Sequence, residues 1–441
     1  MMRRVAVIVA VAWCLAPVHA NAQTKPSSLA TLFEDIYGPN GLVLSSDDVS
    51  LDGTTHAAHF NSAFQSDFRL VNIALTGQLT AIPLPSPASG FTYQFDAATG
   101  TFVRSTRSFG PILSDRAETI GHGRLAFGFS NQFFSFDHLD GVSLSAIPAV
   151  FKHDAFNLGG GRADVVSTAN TVKANVSQFA GALTYGLTSR IDLSLAVPLI
   201  NTHLSLLSNA RILRLGTGSN LGTHYFLDPT ALGSFGSTHQ YFTEGSASGV
   251  GGLVLRMKST LIREGSRALA AGVDARLPTG DEQNLLGTGA MGIRPFAAVS
   301  SAYGPFAPHA NIAYQWNGKS VLAGDVRAGT KADLPDQFQY TAGSDLAINP
   351  RFSLVFDVLG QRILDSPRLS VYTLDATGAA GSASLPDIRF TTDSYWVTDA
   401  ALGFKTNVAS RLLINFNMRF NIGDRGLADR VAPLIGIEWS F

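Results

Sequence analysis

Every second residue at the end of the chain is bulky or apolar: Val431, Pro433, Ile435, Ile437, Trp439 and Phe441. A period of two marks a β-strand with one apolar face. The same alternation recurs upstream. In 410–422, Leu412, Ile414, Phe416, Met418, Phe420 and Ile422 share one face, and Asn415, Asn417, Arg419 and Asn421 share the other. In 351–363, Phe352, Leu354, Phe356 and Val358 oppose Ser353, Val355 and Asp357. In 248–262, Leu253, Leu255, Met257 and Leu261 oppose Arg256 and Lys258. In 266–278, Leu269, Ala271, Val273, Ala275 and Leu277 oppose Asp274 and Arg276. One face suits lipid and the other a wet or polar-packed interior. A soluble sandwich also alternates, with its apolar face buried, so the alternation by itself leaves two readings open.

The two ends of the chain favour the first. The terminal strand, with Phe441 last and Trp439 two before it, resembles the closing strand of a bacterial outer-membrane β-barrel. Such an end serves as a signal to the outer-membrane assembly machinery, and its rings suit the lipid–water boundary. At the other end, Arg3 and Arg4 precede an apolar run from Val5 to Pro17 and a small-residue site at Ala20-Asn21-Ala22. This reads as a cleaved secretory signal over 1–22. The only cysteine, Cys14, falls inside it, with Trp13 where a lipoprotein signal carries a small residue. A cysteine-free mature chain in an oxidising compartment relies on packing and ladder hydrogen bonds.

Composition narrows the choice. Charged residues are only 15%, glycines number 43 and phenylalanines 29. Lys and Arg total 32 against 33 Asp and Glu, and loss of the signal removes two of the cations. The mature chain is mildly acidic, with nothing that asks for nucleic acid. No later apolar run is long enough for a membrane helix. An exported chain in a bilayer without helices must close into a barrel, because only closure satisfies every strand's backbone groups.

Connection lengths orient it. Short links near Gly186–Arg190, Arg263–Arg267, Tyr303–Pro305, Asn349–Arg351 and Asn407–Arg411 carry turn residues. Long ones cover 138–168, 202–247, 279–290, 317–335, 364–393 and 423–429. Barrels of this kind have short periplasmic turns and long outer loops. The pattern predicts an all-β, antiparallel, up-and-down transmembrane barrel over 123–441. Its strands lie near 123–137, 169–185, 189–201, 248–262, 266–278, 291–303, 305–316, 336–348, 351–363, 394–406, 410–422 and 430–441. That is twelve strands, or fourteen if 317–335 hides two more. Ser189-Arg190, Ser266-Arg267, Pro350-Arg351 and Ser410-Arg411 open four of them alike, placing Arg at the periplasmic boundary.

Residues 23–122 do not read as regular barrel. A plug inside the lumen, a periplasmic appendage and an extra wall hairpin are the alternatives. A plug would make sense of interior charges, which need partners or water. The expected lumen-lining residues are Arg256, Lys258, Asp274, Arg276, Asp357, Asp399, Lys405 and Arg419. Their mixed sign argues against a strongly ion-selective pore, and twelve strands enclose a narrow path.

Two stretches resemble a known family. Arg276-Leu277-Pro278-Thr279-Gly280-Asp281, followed by Asn284-Leu285-Leu286-Gly287-Thr288-Gly289, is similar to the signature of the phenol-degradation (MetA-pathway) outer-membrane family. Phe109-Gly110-Pro111, with Arg116-Ala117-Glu118-Thr119-Ile120-Gly121 and Gly123-Arg124, resembles segments that open such barrels. More distantly the chain is similar to FadL-type transporters, without a FadL-like hatch motif. The resemblance implies an outer-membrane protein that passes small, often aromatic, hydrophobic solutes. In physical terms Pro278 stops a ladder, Thr279 and Gly280 enter an outer loop, and Gly287 and Gly289 start the next descent.

Enzyme chemistry is the weaker rival. His153-Asp154, His203, His224 and His239 lie in outer loops, and His309 points inward with Asn311 and Gln315. None comes with a Gly-x-Ser-x-Gly motif. His224, Asp228 and His239 are a weak metal set, and Asp47-Asp48 with Asp52-Gly53 lacks calcium-loop spacing. The expectation is no catalytic residue, no metal and no cofactor. The partners are the bilayer, the assembly machinery and a small solute. A structural or adhesive barrel displaying loops 202–247 and 364–393 is the second reading.

Overall fold

The structure, a computed structural model, describes residues 28–47, 58–81, 93–96, 101–104, 106–154, 156–227, 235–409 and 411–441. The expected signal over 1–22, Asp52-Gly53 and Asp228 lie outside the described residues.

Twelve strands form the wall: β1 (Leu125–Phe136), β2 (Val165–Gly186), β3 (Ile191–Leu213), β4 (Val254–Glu264), β5 (Arg267–Arg276) and β6 (Gly292–Ser301). They continue as β7 (Phe306–Asn317), β8 (Gln337–Asn349), β9 (Phe352–Gly378), β10 (Gly381–Ala409), β11 (Leu412–Asn421) and β12 (Val431–Ser440). Each pairs antiparallel with its chain neighbours, and β12 pairs with β1 from Leu434↔Gln132 to Ser440↔Ala126, which closes the cylinder. The Phe441 amide donates to the Leu125 carbonyl, so the last residue is tied to the first strand. Within 317–335, Lys319–Asp325 pairs with Thr330–Asp333 in a separate two-stranded sheet, so the wall stays at twelve.

Outward side chains form an apolar belt that includes Phe129, Phe179, Leu195, Leu255, Ile312, Phe356, Leu402 and Ile437, all exposed. Lipid is the solvent for such a surface. Rings flank the belt. Toward the long-loop end Tyr314 packs on Trp316 and Tyr340 on Trp396; at the short-turn end Phe127 and Trp439 pack on Phe441. Arg190, Arg267, Arg351 and Arg411 are exposed beside the short turns. On β3 the outward face changes from Leu193, Leu195 and Leu199 to Asn201, His203 and Ser205, which marks where lipid gives way to water.

Two expected loops are strand instead. β3 runs on to Leu213 and pairs with Thr238–Val250, and β9 and β10 extend as a ribbon to a tight link between Gly378 and Gly381. Backbone groups above the membrane still need partners. The inward residues there are apolar and buried, among them Leu204, Leu206, Ile212, Leu369 and Ile388.

The N-terminal region covers them. Residues 28–47 and 58–81 sit at the long-loop end. The Ala30 amide donates to the Gln283 carbonyl, and Ser45 bridges Tyr225. Ala58–Asn61 pairs with Ile147–His153, which pairs with β2. Phe33, Phe60, Phe64 and Phe68 are fully buried in one core with Val166, Ile200, Leu206 and Ile212. The Phe64 and Phe68 rings lie 4.5 Å apart. The Tyr37 hydroxyl, 2.8 Å from Ser208, shares that core, and burial raises its pKa above the usual phenol range. The region expected as a plug or periplasmic segment therefore divides. Its first part caps the long-loop end, and residues 106–121 lie inside the barrel near the short-turn end.

Candidate functional site

Residues 106–121 cross the lumen without forming a strand or helix. Their backbone groups are satisfied by inward side chains of the wall instead. The Phe109 amide donates to Ser353 Oγ (3.1 Å), Asp115 to Asn311 Oδ1 (2.8 Å), Ala117 to Ser300 Oγ (3.2 Å) and Ile120 to Asp192 (3.1 Å). The Arg116 and Glu118 carbonyls accept from Lys258 Nζ, and the Ala117 carbonyl accepts from Thr260 Oγ1. Ile112 and Leu113 pack on Val355, Ala401 and Leu434, and Ala117 fits against Ala268, Ala270 and Ala298.

Arg116, 2% exposed, anchors this closure. Its guanidinium donates to Thr106 Oγ1 (2.6 Å), Ser108 Oγ (2.8 Å) and Asp345 Oδ2 (2.7 Å). His309 stands between two carboxylates, 3.4 Å from Asp345 and 2.6 Å from Asp357. Asp357 also accepts from Ser114 Oγ of the crossing segment.

Above the segment lies a cavity of about 80 Å³. Its lining mixes charge with apolar surface: Asp115, Arg256, Arg294, Asp399 and Arg419 beside Leu113, Phe296, Leu359 and Val397. Arg256 donates to both oxygens of Asp115 (2.8 and 2.9 Å) and through Nε and Nη2 to Asp274 (2.7 and 2.9 Å). Arg294 shares Asp274 and reaches Gln339 at 2.9 Å. The Phe296 ring lies 5.0 Å from the Arg256 guanidinium and 5.9 Å from that of Arg294.

All eight side chains expected at the lumen point inward, but they do not share one environment. Arg256, Asp399 and Arg419 line the cavity, with Asp399 and Arg419 3.6 Å apart. Asp274 sits behind Arg256, and Arg276 donates to Asn317 at 2.7 Å. Lys258 and Asp357 are sealed beneath the crossing segment, and Lys405 pairs with Glu438 at 2.6 Å. The site also contains Asp115, Arg116, Arg294, Asp345 and Glu438, which the sequence pattern did not single out as lumen residues. Glu438 was legible, since it alternates with Ile437 and Trp439. Asp115 and Arg116 sit in a segment with no period to read.

The loop motif has a structural task. Pro278 follows the end of β5. Thr279 Oγ1 accepts from the Leu253 amide (3.0 Å) and donates to the Gly251 carbonyl (2.8 Å), bridging the break between Thr238–Val250 and β4. Gly280 is required for close approach rather than for a turn: a Cβ there would lie 2.6 Å from the Leu286 carbonyl and 2.9 Å from Gly287 Cα. Gly289 does take a left-handed φ of 63°. The loop dips inward, burying Leu285 and Leu286 in the cap core.

The loop histidines are structural in their contacts. His224 Nδ1 lies 2.7 Å from Asp164, which also accepts from Thr217 Oγ1 and the Gly216 and Thr217 amides. Burial would raise the Asp164 carboxyl, but these hydrogen bonds outweigh it and hold it below the usual range. His239 stacks on Phe226. Among the described residues no group of His, Cys, Asp and Glu is arranged to hold a metal ion.

A closed twelve-stranded cylinder with a lipid-facing belt and an occluded, charged lumen defines a transmembrane β-barrel. Residues 149–383 match the family described as "Putative MetA-pathway of phenol degradation", more than half of the chain, and the protein belongs to that family. Among solved structures it is similar to the COG4313 outer membrane channel from Pseudomonas putida F1. That likeness has 14% identity and a TM-score of 0.44, and it covers 74% of this chain and 98% of that one. It is also similar to a Pseudomonas aeruginosa FadL homologue, with 10% identity and a TM-score of 0.30, covering 72% and 89%. A third likeness is to the Ralstonia pickettii toluene transporter TbuX, with 12% identity and a TM-score of 0.26, covering 73% and 90%. No curated protein matches the chain.

Proposed function

We propose that the protein is an outer-membrane channel that passes small solutes, aromatic and hydrophobic ones among them, by passive diffusion, and that it is not an enzyme. In this reading the eight inward charges, with Arg294, shape the path, and the N-terminal residues close it at rest from both ends. The observation that carries the reading is the cavity between the two closures, where Phe296, Leu359 and Val397 face a row of guanidinium groups. A narrow, two-faced lumen suits selective passage rather than general sieving. Family membership points the same way.

The test is uptake of labelled phenol and toluene by cells that express the chain and lack other outer-membrane channels. Uptake faster than in cells without the chain is expected. Uptake of both solutes at the same rate with and without the chain would overturn the channel reading.

A further inference from the structure

The wall around the cavity carries more positive than negative charge. Four guanidinium groups, those of Arg256, Arg276, Arg294 and Arg419, stand with two wall carboxylates, Asp274 beside Arg256 and Arg294 and Asp399 beside Arg419. Arg276 is 9% exposed, donates to the neutral amide of Asn317, and among the described residues keeps an Nε with no hydrogen-bond partner. A third carboxylate at this place comes from the crossing segment. Both Asp115 oxygens accept from the single Nη1 of Arg256, while Nε and Nη2 make the parallel pair to Asp274. Asp115 is also separately anchored by its backbone, whose amide and carbonyl both bond Asn311. Its side chain is thus free to leave Arg256 while the segment stays docked. Beside it lie the Phe296 ring and the apolar side chains of Leu113, Leu359 and Val397.

We propose that Asp115 is a built-in stand-in for the carboxylate of a small aromatic acid. Such an acid takes the Arg256–Arg294–Phe296 station by displacing the Asp115 side chain while the backbone stays docked on Asn311. The proposal rests on the channel reading and names a solute class for it. Exchange of one carboxylate for another keeps the buried guanidinium paired throughout, which avoids the large cost of a bare buried charge. The ring of the incoming acid replaces nothing polar and gains contact with Phe296, and the excess of wall cations selects anions over cations.

The test is calorimetric titration of the full chain in detergent with potassium benzoate and with benzamide, its uncharged near-isostere. Benzoate is expected to bind at least about tenfold more tightly than benzamide. Arg256→Gln and, separately, Arg294→Gln should erase that difference. Asp115→Asn should tighten benzoate by about tenfold and leave benzamide unchanged, because only the competitor is removed. Folding of each variant is checked by its heat-modifiable gel band. Equal affinity for the two probes in the parent chain overturns the proposal. So does an unchanged benzoate preference in both folded arginine variants. Benzoate binding without phenol or toluene uptake by cells keeps the station and sinks the channel; uptake without a benzoate preference does the reverse.

Discussion

Replacing Arg116 with Ala removes the anchor of the segment that crosses the lumen. Three charge-assisted hydrogen bonds go with it, to Thr106, Ser108 and Asp345, at 2.6, 2.8 and 2.7 Å. Asp345 is left buried, 1% exposed, with His309 Nδ1 3.4 Å away. Removing one member of a buried pair typically costs about 3–5 kcal/mol. Here that cost falls on the docked segment, since a released segment exposes Asp345 to water. About 4 kcal/mol corresponds to roughly a thousandfold change in the docking equilibrium. The assay uses Ser114→Cys in a chain from which Cys14 is absent, with a membrane-impermeant thiol reagent and the protein in liposomes. Ser114 is buried in the docked state, so its labelling rate follows release. Arg116→Ala should raise that rate by two to three orders of magnitude, on the order of the shift above, and should increase channel opening in planar bilayers. A parent-like rate and parent-like currents in a folded Arg116→Ala chain would refute the reasoning.

Three further outcomes are expected. Thr279→Ala removes both hydrogen bonds across the Gly251–Leu253 break and should lower stability by about 1–3 kcal/mol, read as an earlier shift of the heat-modifiable band. Lys405→Met strands the buried Glu438 and should cost about 3–5 kcal/mol, while Lys405→Met with Glu438→Met should recover most of it; a double variant no more stable than the single contradicts this. The Asp164 clasp should be acid-sensitive. Its carboxyl is held below the usual range when folded, so its contribution is present above about pH 4 and is lost as pH falls through the lowered value. Pepsin cleavage of the outer loops should therefore begin at lower pH in the parent than in Asp164→Asn, and superimposable profiles would count against the clasp.

The wall was legible because lipid and lumen impose opposite demands on alternate residues. Phe416 and Asn417 could be assigned to opposite faces without knowing their neighbours, and the short turns fixed the order. Strand ends were less legible. Once β9 passes Arg362 it leaves the bilayer, and the lipid constraint that made its period readable is gone, so the ribbon to Gly378 looked like loop. The N-terminal region was least legible. Asp115 and Arg116 find their partners 141 and 229 positions along the chain, at Arg256 and Asp345, and local pattern cannot report a contact at that separation. Some interior charges find partners on the wall itself, as Lys405 does in Glu438, but Arg256, Lys258 and Asp357 also bond a segment with no ladder and no period of its own. Thr279 was likewise visible as part of a motif, while its role as a bridge depended on a break in a distant strand.

The path of the N-terminal region constrains how the molecule is built. At residue 81 the chain is on the outer face, and by residue 106 it is inside the cylinder near the opposite rim. The seam between β12 and β1 closes around residues 106–121, which lie inside the cylinder. While that seam is open, residues 106–121 can be laid against the inward side chains of the wall. A circular permutant with its ends moved to the Gly265-Ser266 turn would keep every contact but move the final seam. It would have to thread a finished ring or trap the segment in a different order, and its folding yield would reveal whether the cylinder is wrapped around its contents or filled afterwards.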